Sequence, residues 1–149
     1  MSPADVFKVA NLLAVSGWFV LLASPLIPRA ASLFAGLIAP LILSVGYTSV
    51  ILVNWSSAQG GFGSLPAVAQ LMQSPWLQLA GWVHYLAFDL LLGAWQARVA
   101  RREAIPHLLV MPCLFMTFLF GPAGYLAFQA IRAARRGLKS SSASATPIF

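Results

Sequence analysis

Acidic residues are nearly missing from this 149-residue chain: Asp5, Asp89 and Glu103 stand against nine lysines and arginines. With 8% charged and 60% hydrophobic residues, it lacks the polar surface that a water-soluble domain of this size needs. One cysteine, Cys113, excludes an intrachain disulfide framework and any Cys-pair metal site, and its apolar surroundings make it a small packing residue. Nitrogen and carboxylate ligands are equally scarce. Asp89, Glu103, His84 and His107 show no standard metal spacing, so no metal site is expected. Glu103 and His107 lie four apart, but Pro106 intervenes in a charged stretch, which suits a capping or surface pair. The Gly60-Gly61-Phe62-Gly63 run has neither a following Lys-Ser/Thr nor a preceding strand, so it is not a phosphate loop. There is no Gly-x-Ser-x-Gly elbow or Cys-His nucleophile arrangement, and no cofactor is implied.

What the chain does have is long apolar runs. A bilayer span takes about 20 apolar residues, so this length predicts an all-α, polytopic transmembrane bundle of about four spans. Residues 1–139 read as one membrane domain and 140–149, rich in Ser and Ala, as a disordered tail. Asp5 interrupts any positive n-region and further spans follow, so a cleaved signal peptide is not expected. The first span runs from Pro3 to about Ser24, capped by Ser2 with Asp5 completing the cap, and stopped by Pro25 and Pro28. Ser32 is a plausible cap for a second span reaching about Val53, with a kink at Pro40.

The uncharged stretch from Asn54 to Ser74 is too broken by glycine and proline to cross. It reads as interfacial, with a short helix from Pro66 to Gln73 capped by Ser64 and flanked by Trp55 and Trp76. Span three opens at Ser74-Pro75 and ends before Arg98, Arg101, Arg102 and Glu103. Span four starts at Pro106 and is expected to kink near Pro122 before Arg132, Arg135, Arg136 and Lys139. Four spans place both termini on one side and set the two basic clusters on opposite sides, so the positive-inside rule nearly cancels, with a lean toward cytoplasmic termini. The net charge of +6 sits at the ends of apolar segments, which fits anionic headgroups and not nucleic acid.

Asp89 stands out within span three. A carboxylate near mid-span costs at least about 2.5 kcal/mol, so it must face protein or water and be paired or protonated. At 100° per residue Trp82, Tyr85, Asp89, Gly93 and Gln96 form one stripe, while His84, Phe88 and Trp95 form another. Tyr85 is one turn from Asp89. His84 points about 140° away round the helix, so a direct His-Asp relay is disfavoured. In low polarity a carboxylic acid suits proton donation and a neutral imidazole suits proton acceptance. The plainer reading makes Asp89 a helix-packing residue bonded to Tyr85 or Asn54, and His84 an interfacial polar group. Aromatic residues on a membrane helix are likewise more often packing or interfacial anchors than a ligand slot.

Several segments taken together resemble a known family. Gly60-Gly61-Phe62-Gly63-Ser64-Leu65, Gly81-Trp82-Val83-His84-Tyr85-Leu86-Ala87-Phe88-Asp89-Leu90, Pro106-His107, Pro112-Cys113-Leu114 and Phe120-Gly121-Pro122-Ala123-Gly124 are similar, in order and spacing, to the bacterial branch of the abscisic-acid-deficient-four-like family. The likeness spans about Asn54 to Arg132. Plant members are plastid membrane proteins required for converting violaxanthin to neoxanthin, an isomerisation that opens an epoxide and leaves an allene. That resemblance carries a Trp-x-His-x-Leu-Ala-x-Asp pattern onto Trp82, His84, Leu86, Ala87 and Asp89, and a Pro-x-Gly turn onto Pro122 and Gly124. The chemistry it implies would use Asp89 and His84 as acid and base. Read from the residues themselves, Tyr85 is the local partner of Asp89, the Trp82, Phe88 and Trp95 rings could line a slot for an isoprenoid or carotenoid ligand, and Gly61 and Gly63 could form one rim of it.

Two readings stay open: an intramembrane isomerase in a bacterial inner membrane, or a non-catalytic protein that binds a hydrophobic ligand or stabilises a partner enzyme. A channel or transporter ranks third, because four short helices with one buried carboxylate offer few charges for an ion path. Ligand and oligomeric state are not encoded in any motif.

Overall fold

A computed structural model describes the backbone of residues 1–144 and the side chains of residues 1–138, and the tail expected at 140–149 lies outside that side-chain range. The described residues are helical and contain no strand. Helix α1 (Pro3–Leu22) starts as its sequence dictates: Ser2 accepts from the Asp5 amide and the Asp5 carboxylate accepts from the Ser2 backbone, a full capping box. The next crossing begins at Pro28 and not at Ser32. It comprises α2 (Pro28–Leu33), a π-helical turn (Phe34–Ile38) and α3 (Ala39–Asn54). The kink expected at Pro40 is absorbed by that π turn, in which the Ala39 amide bonds to the Phe34 carbonyl five residues back. Ser64 caps α4 (Leu65–Leu71), the short interfacial helix.

Helix α5 (Pro75–Arg102) is the axis of the molecule. Its 28 residues span about 42 Å, enough to cross with both ends in the headgroups. Thirteen of them are buried, many small: Ala80, Ala87, Gly93, Ala94, Ala97 and Ala100. Small residues let membrane helices approach closely, where packing replaces the hydrophobic drive available in water. Leu90 lies so close over Gly17 that a Cβ there would stand 2.7 Å away, and Trp18 fills the space above Gly93 in the same way. Contacts from Phe7–Trp82 to Trp18–Gly93 show α1 parallel to α5, and contacts from Tyr47–His84 to Gly36–Arg98 show α3 antiparallel.

Among the described residues, three helical segments are long and apolar enough to cross a membrane: Pro3–Leu22, Pro28–Ser57 and Pro75–Arg102. The fourth apolar segment behaves differently. Helix α6 (His107–Phe120) is 14 residues, about 21 Å, which falls short of the hydrocarbon core. At Gly121, φ +25°, the chain reverses sharply, so the expected kink is a turn, and α7 (Pro122–Ser144) packs back along α6. A Cβ at Gly124 would meet the Thr117 amide at 2.3 Å and the Cys113 carbonyl at 2.6 Å, contacts impossible in a continuous helix. The return is locked where it began. Arg132 Nε bonds to Glu103 Oε2 at 3.0 Å, Arg136 reaches the other oxygen at 2.8 Å, and Arg135 donates to the Ala104 carbonyl.

Helices α6 and α7 thus form a hairpin that enters and leaves at the α5 C-terminal end, with its tip beside the middle of α5. Arg29, Arg98, Arg101, Arg102, Arg132, Arg135 and Arg136 gather at that end, with Lys139 following in the sequence, and Lys8 stands alone at the other. The near-cancellation of the positive-inside rule depends on a fourth crossing and does not arise if only the three candidate spans cross. With the three candidate spans crossing, the N-terminus and the basic C-terminal helix fall on opposite sides. In a Cys113→Ala background, a cysteine at Ser2 is expected to label with an impermeant maleimide from one face of sealed vesicles and a cysteine at Gly137 from the other. Labelling of both from one face contradicts the hairpin.

Glu103 carries a pH dependence. Hydrogen bonds from Arg132, and secondarily Arg136, hold its carboxyl at about 2, down from an ordinary 4.5. A depressed acid contributes stability that is complete above its unfolded value and fades as pH falls through the folded one. The apparent Tm of the wild type in detergent should therefore exceed that of Glu103→Gln at neutral pH, with the gap closing between pH 4.5 and 2. A gap that stays constant with pH contradicts the ion pair.

Candidate functional site

Tyr85, Asp89 and Gln96, on the stripe of α5 that carries Asp89, face the hairpin. Gln96, fully buried, donates to Thr117 Oγ1 at 2.9 Å, and the Thr117 hydroxyl donates to the Cys113 carbonyl at 2.8 Å. Two turns toward the α5 N-terminus, Asp89 is 8% exposed and faces Gly121; a Cβ built on that glycine would lie 2.5 Å from Asp89 Oδ1. Positive φ and this contact both require glycine there. One turn further, the Tyr85 hydroxyl donates to the carbonyls of Leu119 at 2.9 Å and Phe118 at 3.2 Å, groups that the end of α6 leaves unpaired. Asp89 Oδ2 is buried and has no hydrogen-bond partner among the described residues. A buried, orphaned carboxyl oxygen is costly unless protonated or met by something else. The phenol oxygen of Tyr85, having donated its proton, keeps lone pairs able to accept one from the acid.

Because the hairpin stops at Tyr85, the N-terminal half of α5 has no fourth helix beside it. A cavity of about 730 Å³ opens there between α1, the end of α4 and α5, lined by Phe7, Met72, Gln78, Leu79, Trp82 and Tyr85 among others. Its walls are mostly apolar and its size suits a lipid-like ligand. Trp82 is fixed by its indole N–H to Asn11 Oδ1 at 3.3 Å and by Phe7, 5.7 Å between ring centroids. Tyr85 belongs to both regions. It lines the cavity and sits one turn from Asp89, so the order in space is cavity, phenol, carboxyl.

The remaining sequence candidates are placed elsewhere. His84 is exposed on the opposite face, stacked on Phe88 at 4.5 Å and near Tyr47 at 5.5 Å, so it is not brought to Asp89. Phe88 is 59% exposed beside it. Trp95 holds the hairpin, edge-on to Phe128 at 5.6 Å and beneath the Arg132 guanidinium at 5.7 Å. Gly61 and Gly63 have open space where side chains would stand, next to Phe62 stacked on Trp55. Asn54 returns its amide to the Val50 carbonyl of its own helix. Among the described residues no three His, Cys, Asp or Glu cluster as metal ligands. Phe7, Met72, Gln78 and Thr117 escaped the sequence reading, and Gly121 entered it only as part of the Phe120–Gly124 segment and not as the partner of Asp89. The Gly-Pro step and the heavy charge at both ends of α6–α7 were the signals that could have exposed the turn.

The Gly121 contact is testable by a double-mutant cycle. Gly121→Ala should destabilise by about 1–3 kcal/mol through backbone strain and the clash with Asp89. Asp89→Ala should absorb part of that loss, giving non-additive Tm changes in detergent. Strict additivity would mean that the two do not touch.

Family models supply the one informative comparison. No curated protein and no solved structure matches the chain. A family model described as ABA DEFICIENT 4-like matches residues 5–128, a range that takes in nearly all of the three candidate spans and of the cavity lining, with Asp89 and the hairpin turn. On that match the chain belongs to the ABA DEFICIENT 4-like family.

Proposed function

We propose that this membrane protein binds a long apolar lipid of the isoprenoid class in the cavity between α1 and α5 and isomerises it by proton transfer through Tyr85, backed by Asp89. The family likeness suggests a carotenoid, and the expected setting is a bacterial inner membrane. One observation carries the reading: a buried carboxyl with an unpartnered oxygen, separated from an apolar cavity by one phenol. An isomerisation returns the proton that it borrows. A single acid relay can protonate a departing epoxide oxygen and then recover a proton from the polyene carbon, so His84 on the far face is not needed. The hairpin tip shuts the carboxyl from water.

A second reading has its own support. Asp89 does not itself line the cavity, and Tyr85 spends its proton on the end of α6. On this reading both residues lock the hairpin, and the cavity holds a ligand without transforming it. Asp89→Asn and Tyr85→Phe separate the two, because each nearly preserves shape. In a pigment-producing host supplied with several carotenoids, the isomerase reading expects normal protein yield and product reduced by about 10²-fold or more per molecule. Lower yield with unchanged extracts supports the packing reading. Extracts identical to those of cells without the protein end the isomerase proposal.

A further inference from the structure

The end of the molecule opposite the cavity holds a second recess, of about 410 Å³, between α2, the π turn and α5. Pro28, Arg29, Ser32, Leu33, Leu37 and Arg101 line it. Arg101 reaches across from α5 and donates to Ser32 Oγ at 3.0 Å, which fixes one guanidinium at the mouth. Arg98, one turn deeper on the same face, lies against Gly36, where a Cβ would stand 2.6 Å from its Nη1. The π turn widens the helix where these arginines cross, and such turns recur where a helix makes room for a functional contact.

Charge counting shows what is missing from this recess. The sequence has three acidic side chains: Asp5 caps α1 at the far end, Asp89 is buried at mid-helix, and Glu103 is held by Arg132 and Arg136. No acidic side chain is left for Arg29, Arg98, Arg101 and Arg102. Four guanidiniums so close together repel one another, and the arrangement is relieved by an anion with several acceptor oxygens. The floor of the recess is apolar. Leu33 and Leu37 lie one turn apart and are each 54% exposed, an apolar surface next to the arginines.

We propose that Arg29, Ser32 and Arg101 form a binding site for the phosphate of an anionic phospholipid, whose acyl chain runs over Leu33 and Leu37. Fork-shaped guanidiniums match phosphate oxygens bidentately, and the Ser32 hydroxyl adds a donor. The uncompensated positive charge also sets selectivity. A choline or ethanolamine cation beside the phosphate would be repelled by Arg98 and Arg102, so a headgroup of net negative charge is required. The site is separate from the cavity at the other end of α5 and does not depend on what that cavity binds.

Native mass spectrometry of the full-length protein in detergent tests this. Phosphatidylglycerol and phosphatidylcholine are titrated separately onto delipidated wild type, Arg29→Gln/Arg101→Gln, Arg29→Lys/Arg101→Lys, and the far-end control Lys8→Gln. The wild type and the control should retain one phosphatidylglycerol in preference to phosphatidylcholine. The glutamine pair should weaken that binding by at least about tenfold, and the lysine pair by an intermediate amount. A matching elution volume and Tm show that each variant is folded. Equal retention by the glutamine pair, or no preference over phosphatidylcholine, overturns the site. Millimolar inorganic phosphate that displaces phosphatidylglycerol completely would show a small-anion site instead, and would overturn the lipid assignment.

Discussion

The contact between the Asp89 carboxyl and the backbone turn at Gly121 is the constraint from which the rest of the architecture follows. A carboxyl at the middle of a membrane-crossing helix must be kept out of hydrocarbon. Here it is covered by a chain reversal that only glycine can make at that distance. A reversal in mid-membrane exposes backbone polar groups of its own, which lipid cannot satisfy. Tyr85 meets that need by donating to the two carbonyls at the end of α6, and Thr117 with Gln96 meets it deeper in the hairpin. Acid and turn are therefore mutual solutions: each is a polar defect in lipid, and each is tolerable because the other covers it.

The depth of the turn determines where the cavity can be. Helix α6 and the C-terminal half of α5 are both about 21 Å long, so a hairpin entering at Glu103 runs out at the level of Asp89. Beyond its tip α1 and α5 run on without it, and the unfilled space is bounded by Phe7, Trp82 and Tyr85. Half-membrane hairpins whose helix ends meet at the bilayer middle recur where membrane proteins place binding sites, since irregular backbone is acceptable there when it borders a cavity. The buried acid, the short hairpin and the apolar cavity are one feature seen from three sides.

Much of this was legible in the sequence, for identifiable reasons. The capping box at Ser2, the short helix capped by Ser64 and the start of α5 at Pro75 are local signals, set within four residues, and each appears where expected. The stripe Tyr85, Asp89, Gly93, Gln96 follows from helix periodicity alone, and in the structure Tyr85, Asp89 and Gln96 meet the hairpin while Gly93 receives Trp18 of α1. The fate of the α6–α7 segment was not legible in that way. Hydropathy and proline content look the same for a kinked span and a half-depth hairpin. What separates them is the partner of Glu103, some 30 residues away, and that pairing is a tertiary fact. Lining residues such as Phe7 and Met72 were missed for a related reason: they matter because something is absent beside them.

Charge distribution explains why the hairpin prevails over a fourth crossing. A continuous α6–α7 helix would carry Arg132, Arg135 and Arg136 to the face opposite Glu103, leaving that acid beside Arg101 and Arg102 without its present partners. It would also split the basic residues between both faces, against the bias that governs insertion. The hairpin unites them, gives Glu103 two guanidiniums, and stacks Arg132 on Trp95. It also leaves Arg29, Arg98, Arg101 and Arg102 without a carboxylate, since the single acid at that end is already taken. An excess of arginine at one face is then a direct consequence of how the acid at mid-membrane is covered. One polar residue at the centre of α5 thus shapes both ends of the molecule, an apolar opening at one and an unmatched cationic recess at the other.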